Sequence, residues 1–147
     1  MRLDAPDWEA EDTLTLAIPG TPVAQGSKRH VGGGRMIEMN KDLHPWRRDI
    51  AMTAVEQNAE IRDGAISVTL DFYFTRPRGH FGKRGLRPSA PARPSVRPDI
   101  DKLARAVLDA LTGIAFRDDG QVAELVCRKH YAAEGKPPGV TVEIGVL

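Results

Sequence analysis

The clearest strand pattern in the chain is Ile66-Ser67-Val68-Thr69-Leu70-Asp71-Phe72-Tyr73-Phe74, which carries a large apolar side chain at every even position. Successive residues of a β-strand point to opposite faces, so these even-numbered side chains would share one face. β-branched and aromatic residues fill most of the segment, which favours a strand over a helix. We therefore predict a strand over residues 66–74 that is backed by the core.

An amphipathic helix is predicted downstream, over about 100–111. At about 100° per residue, six apolar side chains fall on one face, namely Ile100, Leu103, Ala104, Val107, Leu108 and Leu111. Pro98 and Asp99 mark the start of this helix, and Thr112-Gly113 is a typical helix end.

A second helix is predicted upstream, over about 43–58. Asn40 or Asp42 is placed to cap its first turn. Its apolar stripe consists of Trp46, Ile50, Thr53, Ala54 and Gln57.

Shorter strand patterns complete the fold. Residues 14–18 alternate and stop at Pro19-Gly20, and segments 25–31 and 35–39 flank three glycines that suit a hairpin turn. These glycines do not form a phosphate loop, because no Gly-Lys-Ser/Thr follows them. Further strands are predicted at 122–127 and 140–144. The pattern predicts an α/β (α+β) fold, a small mixed sheet flanked by about two helices, in one domain over residues 1–147.

Size and composition fit one packed core, since 41% of the 147 residues are hydrophobic. No stretch is apolar enough to span a bilayer and the N-terminus lacks a secretory pattern, so we expect a cytoplasmic protein. The single cysteine, Cys127, excludes a disulfide framework and a cysteine-based zinc site, and we expect a buried thiol. No ligand spacing relates the four histidines, which we expect in surface or partly buried structural positions: His30, His44, His80 and His130.

The net charge of +1 conceals an uneven distribution of charge. Residues 1–12 form an acidic N-terminal tail. Residues 76–98 form a proline-rich loop without any acid, and its cations are Arg76, Arg78, Lys83, Arg84, Arg87, Arg93 and Arg97. Such a loop indicates a surface for a polyanion, although many basic loops are merely solvated.

Acidic residues lie on both sides of the helix predicted over residues 100–111. Asp99 and Asp101 lie at its start, and Asp118 and Asp119 follow it in a turn. Carboxylates held close together repel one another unless a cation or protons relieve them. Magnesium takes oxygen ligands of this kind together with water and phosphate oxygens. With a basic loop directly before it, the pattern predicts metal-dependent hydrolysis of a phosphodiester.

Each of these acids also has a structural interpretation. Asp99 suits a helix N-cap, and Asp101 suits the positive end of the helix dipole. Asp118-Asp119-Gly120 is an ordinary turn sequence. The spacing alone leaves both interpretations open.

Three segments resemble the signature of RusA-type Holliday junction resolvases: Arg97-Pro98-Asp99-Ile100-Asp101, then Asp109-Ala110-Leu111, then Asp118-Asp119-Gly120-Gln121. In that family an Asp-x-Asp-Asn sequence starts a helix, a lysine follows one turn later, and the helix runs into Asp-Ala-Leu. An Asp-Asp-x-Gln turn completes the site. The resemblance is specific over residues 97–124 and looser over 18–29.

The resemblance implies a magnesium-dependent endodeoxyribonuclease, with manganese as an alternative ion, that resolves four-way DNA junctions by paired symmetric nicks. It assigns the catalytic, metal-binding role to Asp99, Asp101 and Asp119. Members of the family are homodimers in bacterial or phage-infected bacterial cells. The implied partners are therefore branched DNA and a second copy of the chain, with neither a membrane nor a small-molecule cofactor.

Two positions depart from the family pattern, because Lys102 replaces its asparagine and Arg105 replaces its lysine. Arg105 lies one turn after Asp101, where it could offset phosphate charge in catalysis. An ion pair of Arg105 with Asp101 or Asp109 fits the spacing equally well. Asp109 matches a family acid, and a surface or structural role suits it as well as a role as a ligand.

The expected phosphate contacts are Lys28, Arg29, Arg76, Arg78, Lys83, Arg84, Arg87, Arg93, Arg97 and Lys102. Such contacts supply affinity without reading sequence, so recognition would rest on branched shape. Phe81 would either stack on an unpaired base or pack its own loop. Two alternatives stay open: a broader branched-DNA or flap nuclease of the same fold, and a catalytically impaired junction-binding protein.

Overall fold

The computed structural model describes residues 13–26, 28–30, 32–34, 36–38 and 40–147. The acidic tail over 1–12 lies outside these residues. The side chains of Lys28 and Arg29 also lie outside the description, so their predicted contact with DNA stays a prediction.

A four-stranded mixed sheet organises the fold, and its strands are β1 (Leu14–Pro19), β4 (Ile66–Phe74), β7 (Val122–Tyr131) and β8 (Gly139–Val146). The spatial order is β1-β8-β4-β7, in which β8 is antiparallel to both of its neighbours and β4 pairs with β7 in parallel. Two small antiparallel pairs lie outside this sheet: β2 (Lys28–His30) with β3 (Met36–Glu38), and β5 (Phe81–Gly82) with β6 (Gly85–Leu86).

The strand predicted from the alternating pattern is confirmed over its whole length as β4. Its side chains at 66, 68, 70 and 72 are fully or almost fully buried. Register places Leu70 opposite Val142 of β8, and Val142 lies opposite Leu16 of β1, so all three strands turn apolar side chains to the same side. One face of the sheet therefore carries the core, and the other face carries polar side chains such as Thr69 and Glu143.

Two helices in the described part of the chain cover that core face, α1 (Leu43–Glu56) and α2 (Ile100–Leu111). The predicted bounds of α2 are confirmed, but Ile100 is 37% exposed rather than buried. Ile100 is the first residue of the helix and lines an open cleft, which leaves part of its side chain exposed. The described residues thus form one α+β domain with a mixed sheet and two flanking helices.

Helix α1 ends two residues earlier than predicted, because the chain turns at Asn58, whose φ is 61°. Gln57 is exposed rather than part of the apolar stripe. Its side chain instead bonds the backbone of β1, donating from Nε2 to the oxygen of Ala17 (3.1 Å) and accepting from the Ala17 nitrogen (3.4 Å). At the other end, Asn40 Oδ1 accepts from the Asp42 nitrogen (3.0 Å), and Asp42 makes no capping bond with its own side chain.

The connection over residues 76–98 contains a short 3₁₀ turn, Arg78–His80, and the hairpin of β5 with β6. The predicted last two strands exist and are longer than expected, since β7 continues to Tyr131 and β8 to Val146. Across the residues that the structure describes, no helix has the length and apolar character needed to cross a membrane.

The start of β8 lies very close to the backbone of β1. A Cβ added at Gly139 would lie 2.5 Å from the backbone oxygen of Ile18. Because that neighbour is backbone, we expect Gly139→Ala to lower the free energy of unfolding by about 1–3 kcal/mol, the usual cost of overpacking. Urea unfolding followed by circular dichroism measures this loss. Gly79→Ala is the control, since nothing lies within 4 Å of its added Cβ, and equal losses would contradict the close approach.

Candidate active site

Asp99 and Asp101 lie at the start of α2 and line the same open cleft, whose volume is about 890 Å³. The cations around this cleft are Arg93 and Arg97 from the basic loop, and Arg128 and Lys129 from β7. We call this space the α2 cleft. It combines two carboxylates with four cations, so the chain brings two of the three predicted acids and part of the predicted basic loop to one place.

Asp99 occupies the N-cap position of α2, but its side chain accepts no capping hydrogen bond. The purely structural interpretation of Asp99 as a cap is therefore not realised. Its carboxylate lies 3.7 Å from the Lys102 ammonium, and both side chains are substantially exposed. An exposed ion pair of this kind contributes little to stability. The Asp99 oxygens therefore stay available to another cation.

Lys129 fixes the chain segment that leads into Asp99. Its ammonium donates to the backbone oxygens of Val96 (2.6 Å) and Pro98 (2.9 Å). Because Pro98 directly precedes Asp99, these bonds tie the end of the basic loop to the edge of the sheet. The sequence reasoning missed Lys129. The signal was a lysine in register with Phe72, at a position of β7 that faces the helix side of the sheet.

The second pair of acids, Asp118 and Asp119, lies in a short 3₁₀ turn between α2 and β7. Asp118 Oδ1 accepts from the Gly120 nitrogen (3.1 Å), and Gln121 Oε1 accepts from the Asp118 nitrogen (3.1 Å). Gln121 Nε2 also donates to the backbone oxygens of Arg62 and Gly64, both at 2.9 Å. Asp118 therefore caps the turn, and Gln121 attaches the turn to the segment before β4.

The two neighbouring carboxyl groups of this turn have opposite pKa shifts. Hydrogen bonds from the Gly120 nitrogen and from Asp119 lower the pKa of Asp118. The hydrogen bond with Asp118 raises the pKa of Asp119, and desolvation and the charges of Asp118 and Asp109 raise it further. Adjacent carboxyls of this kind share a proton unless a cation relieves their repulsion.

The three acids predicted to bind metal therefore belong to two groups. Asp99 and Asp101 line the α2 cleft, whereas the charged neighbours of Asp119 are Asp118 and Asp109. Within the described part of the chain, no three histidine, cysteine or acidic side chains converge as a ready-made metal cluster. Helix α2 connects the groups, because Asp101 and Asp109 lie two turns apart on one flank.

Two residues that were predicted to begin a strand, and not predicted to belong to the site, contact this flank of α2: Gln25 and Gly26, which precede β2. Gln25 is buried, its backbone nitrogen donates to the Lys102 oxygen (3.0 Å), and its Nε2 donates to Asp109 Oδ2. The neighbouring Gly26 lies against Arg105, since a Cβ built there would be 3.4 Å from a guanidinium nitrogen. No sequence pattern marks Gln25, because its partners are 77 and 84 positions away.

Arg105 is exposed, and among the described ion pairs it has none with Asp101 or Asp109. The alternative interpretation of Arg105 as the partner in an i,i+4 ion pair is therefore not realised. Its guanidinium remains on the same flank as Asp101, which keeps a role towards phosphate open to it.

The cations of the basic loop fall into different environments. Arg76 is half-buried, stacks 4.5 Å over the Tyr131 ring and donates to the Pro91 oxygen (2.8 Å). Arg87 donates to the Phe81 oxygen (3.2 Å), so both arginines organise the loop itself. The cations of the loop with exposed side chains are Arg78, Lys83, Arg84, Arg87, Arg93 and Arg97.

Phe81 is half-buried and lines a cavity of about 230 Å³ with Leu86 and Tyr131. This position favours the interpretation that Phe81 packs its own loop. Two of the histidines have structural contacts, as expected. His80 lies edge-on to Tyr131, and the His130 Nε2 lies 2.7 Å from Asp71 Oδ1. His44 is exposed, and His30 has no described side chain.

Removal of the Lys129 hydrogen bonds is expected to reduce the protection of nearby backbone amides from hydrogen exchange. We expect Lys129→Met to speed hydrogen exchange of the amides in 95–101 by roughly tenfold or more, since one charged hydrogen bond contributes about 1.5–3 kcal/mol. Mass-spectrometric hydrogen exchange measures this, with Lys136→Met as the exposed control. Unchanged exchange in both variants would show that Lys129 does not hold the loop.

Cys127 lies in the α2 cleft and is half-buried, so the expected full burial is wrong, because β7 forms an edge of the described sheet. Burial raises the pKa of its thiol, and the negative charge of Asp71 raises it further.

The raised pKa of Cys127 predicts slow alkylation. We expect iodoacetamide to react slowly at pH 8 and the rate to rise at higher pH than for an ordinary cysteine. Asp71→Asn should shift the rate–pH curve towards lower pH. An apparent pKa at or below about 8.5 would contradict this environment.

Comparison with known proteins assigns these segments to one family. The model of the family described as Endodeoxyribonuclease RusA matches residues 19–145, which is most of the chain. The uncharacterized protein YqaN of Bacillus subtilis (strain 168) is 28% identical over 130 residues, which cover 84% of this chain and 91% of that protein. The matched region includes the basic loop, α2 and both groups of acids, and the chain accordingly belongs to the RusA endodeoxyribonuclease family.

Proposed function

We propose that this chain is a magnesium-dependent endodeoxyribonuclease that resolves four-way DNA junctions by paired symmetric nicks. Membership of the family supports DNA as the substrate and hydrolysis as the reaction. The observation that carries the proposal is the α2 cleft, where Asp99 and Asp101 lie in one cavity with Arg93, Arg97 and Arg128.

The charges of the cleft suit a phosphodiester that arrives together with a cation. Arginine guanidinium groups bind phosphate oxygens, whereas two carboxylates beside the same phosphate would repel it. A bound divalent cation would remove that conflict, and magnesium commonly uses a few carboxylates, water and phosphate oxygens as its ligands. The raised pKa of Asp119 also supports a cation, because the hydrogen bond with Asp118 and the negative charges of Asp118 and Asp109 disfavour its ionised form. Bound magnesium would supply activation of water and stabilisation of the leaving oxygen, and manganese could replace it.

The residues of the chain then have separate roles. Asp99 and Asp101 would hold the cation at the start of α2, and Asp119 would add its carboxylate from the neighbouring turn. Arg105 and Lys102 offset the negative charge that develops on the phosphate. Arginine stays protonated, so Arg105 acts by charge and not by transferring a proton.

A homodimer suits both the substrate and the surface of the sheet. Two copies related by a two-fold axis would present two sites to a junction of similar symmetry. Strand β7 lies at an edge of the described sheet, and its Leu125 and Val126 are 45% and 41% exposed. Apolar edge strands tend to be covered by another chain, so this edge supports association of two copies.

The exposed Arg78, Lys83 and Arg84 would contact phosphates of the DNA arms, with an affinity that falls as salt increases.

Replacement of one acid in the cleft tests the proposal. We expect Asp101→Asn to lower cleavage of a labelled four-way junction in magnesium by about 10²-fold or more, the scale of removing one transition-state contact. Junction binding should stay within about threefold, because phosphate contacts dominate the affinity. Asp49→Asn, an exposed acid of α1, is the matched control.

Linear duplex, flap and fork substrates in the same assay distinguish the alternatives. Symmetric nicks in the junction alone would support resolution, and equal cutting of flaps and forks would indicate a broader nuclease of the same fold. Tight junction binding by the wild-type protein without cleavage in magnesium or manganese would refute the enzyme and favour a DNA-binding protein. Full cleavage by Asp101→Asn would remove that residue from the mechanism.

A further inference from the structure

The segment between β1 and β2, residues 20–26, contacts the flank of α2 that bears Arg105 and Asp109 through its last two residues, Gln25 and Gly26. We call it the strap. Its contact residue is Gln25, which is only 6% exposed and is the single polar residue fully buried in the described part of the chain. Two hydrogen bonds of Gln25 reach positions two turns apart on the helix, one at the Lys102 oxygen and one at Asp109 Oδ2. Gln25 alone therefore links the strap to two successive turns of the helix.

The side chain of Gln25 is an unusual choice for a position that only has to fill space. Its Oε1 is buried and has no hydrogen-bond partner among the described residues. A buried polar atom without a partner destabilises the folded state, and an apolar side chain of similar length would avoid that loss. The feature that an apolar side chain cannot supply is the donation from Nε2 to the Asp109 carboxylate.

Asp109 lies where its negative charge affects one of the predicted metal-binding acids, Asp119. It is half-buried on α2, and its charge acts on Asp119 in the following turn. The hydrogen bond donated by the Gln25 amide limits the orientation of this carboxylate. The strap also contacts Arg105 through Gly26, whose φ of +124° disfavours any side chain that would crowd the guanidinium.

We propose that Gln25 is a positioning residue of the nuclease, whose amide fixes the orientation of the Asp109 carboxylate so that Asp109 and Asp119 together attract the divalent cation. The inference rests on the proposed function and deepens it. It assigns to the strap a share of the cation affinity, and to Asp109 a role beyond that of a surface acid.

Two substitutions at this position separate the donor from the space that it fills. Gln25→Met keeps the length of the side chain and removes the donor. Gln25→Glu keeps the shape and turns an acceptor towards Asp109. We expect Gln25→Met to reduce the magnesium-induced rise in melting temperature, measured without DNA, and to lower kcat for junction cleavage by about tenfold or more, the scale for partners of metal ligands. The KM for the junction should change by less than about threefold, since phosphate contacts set it. Gln25→Glu should show the larger loss.

A matched control and a double variant distinguish positioning from plain structural support. Gln57→Met removes another glutamine with long-range bonds, those to Ala17, and should lower the melting temperature without changing the magnesium-induced rise. Gln25→Glu combined with Asp109→Asn reverses the direction of the hydrogen bond. We expect this pair to recover the melting temperature of the metal-free protein but neither the magnesium-induced rise nor kcat.

The outcomes separate the two proposals. Full magnesium-induced stabilisation and unchanged kcat in Gln25→Met would overturn the role of Gln25, and so would recovery of cleavage in the double variant. If the wild-type protein binds magnesium but cuts no junction, the proposed function fails and the melting measurements alone decide about Gln25. If Gln25→Glu does not fold, Gln25→Met and its control are sufficient. A wild-type protein that neither binds magnesium nor cleaves DNA would refute both.

Discussion

The burial of one face of α2 against the sheet is the constraint on which the rest of the molecule depends. Leu103, Ala106, Val107 and Leu111 are completely buried, so the helix has one orientation on the core. Each of these side chains contributes about 1.5–3 kcal/mol when it leaves water, less for alanine, and no alternative rotation of the helix buries them together. The start, the exposed flank and the end of α2 therefore have defined positions, and these are the positions that carry the acids.

Three polar side chains complete what apolar burial leaves undefined. Lys129 attaches the loop that enters α2, Gln121 attaches the turn that leaves it, and Gln25 attaches the strap to its flank. In each case a side-chain donor reaches a backbone oxygen or a carboxylate far away in sequence. Hydrogen bonds are directional, so they restrain loops that have too few apolar contacts to be held by packing. The core thus sets the position of the helix, and these donors set the position of the chain on either side of it.

This division explains how far the sequence could predict the molecule. Strand β4 and helix α2 were predicted to the residue, because a period of two or of 3.6 is a local property of the chain. The acids were identifiable for the same reason, since they lie at the ends of a predictable helix. The predicted burial of Ile100 was wrong, because periodicity does not show that the start of the helix borders an open cleft. The partners of Lys129 and Gln25 are 31 to 84 positions away, and no local pattern contains that information. The separation of the acids into two groups was hidden for the same reason.

The charges around Asp99 show why the departures from the family pattern are compatible with a cation-dependent site. Lys102 puts an ammonium 3.7 Å from the Asp99 carboxylate, where a divalent cation would have to compete with it. Both side chains are substantially exposed, however, and exposed ion pairs contribute about 0–1 kcal/mol. If the proposed function is right, a divalent ion that bound Asp99 together with Asp101 and a phosphate oxygen would gain several such interactions at once. Displacement of the ammonium would then cost little, and the lysine would remain near the phosphate and attract it. The lysine that stands here in place of the family's neutral asparagine would accordingly lower the affinity for the free cation and raise the affinity for DNA.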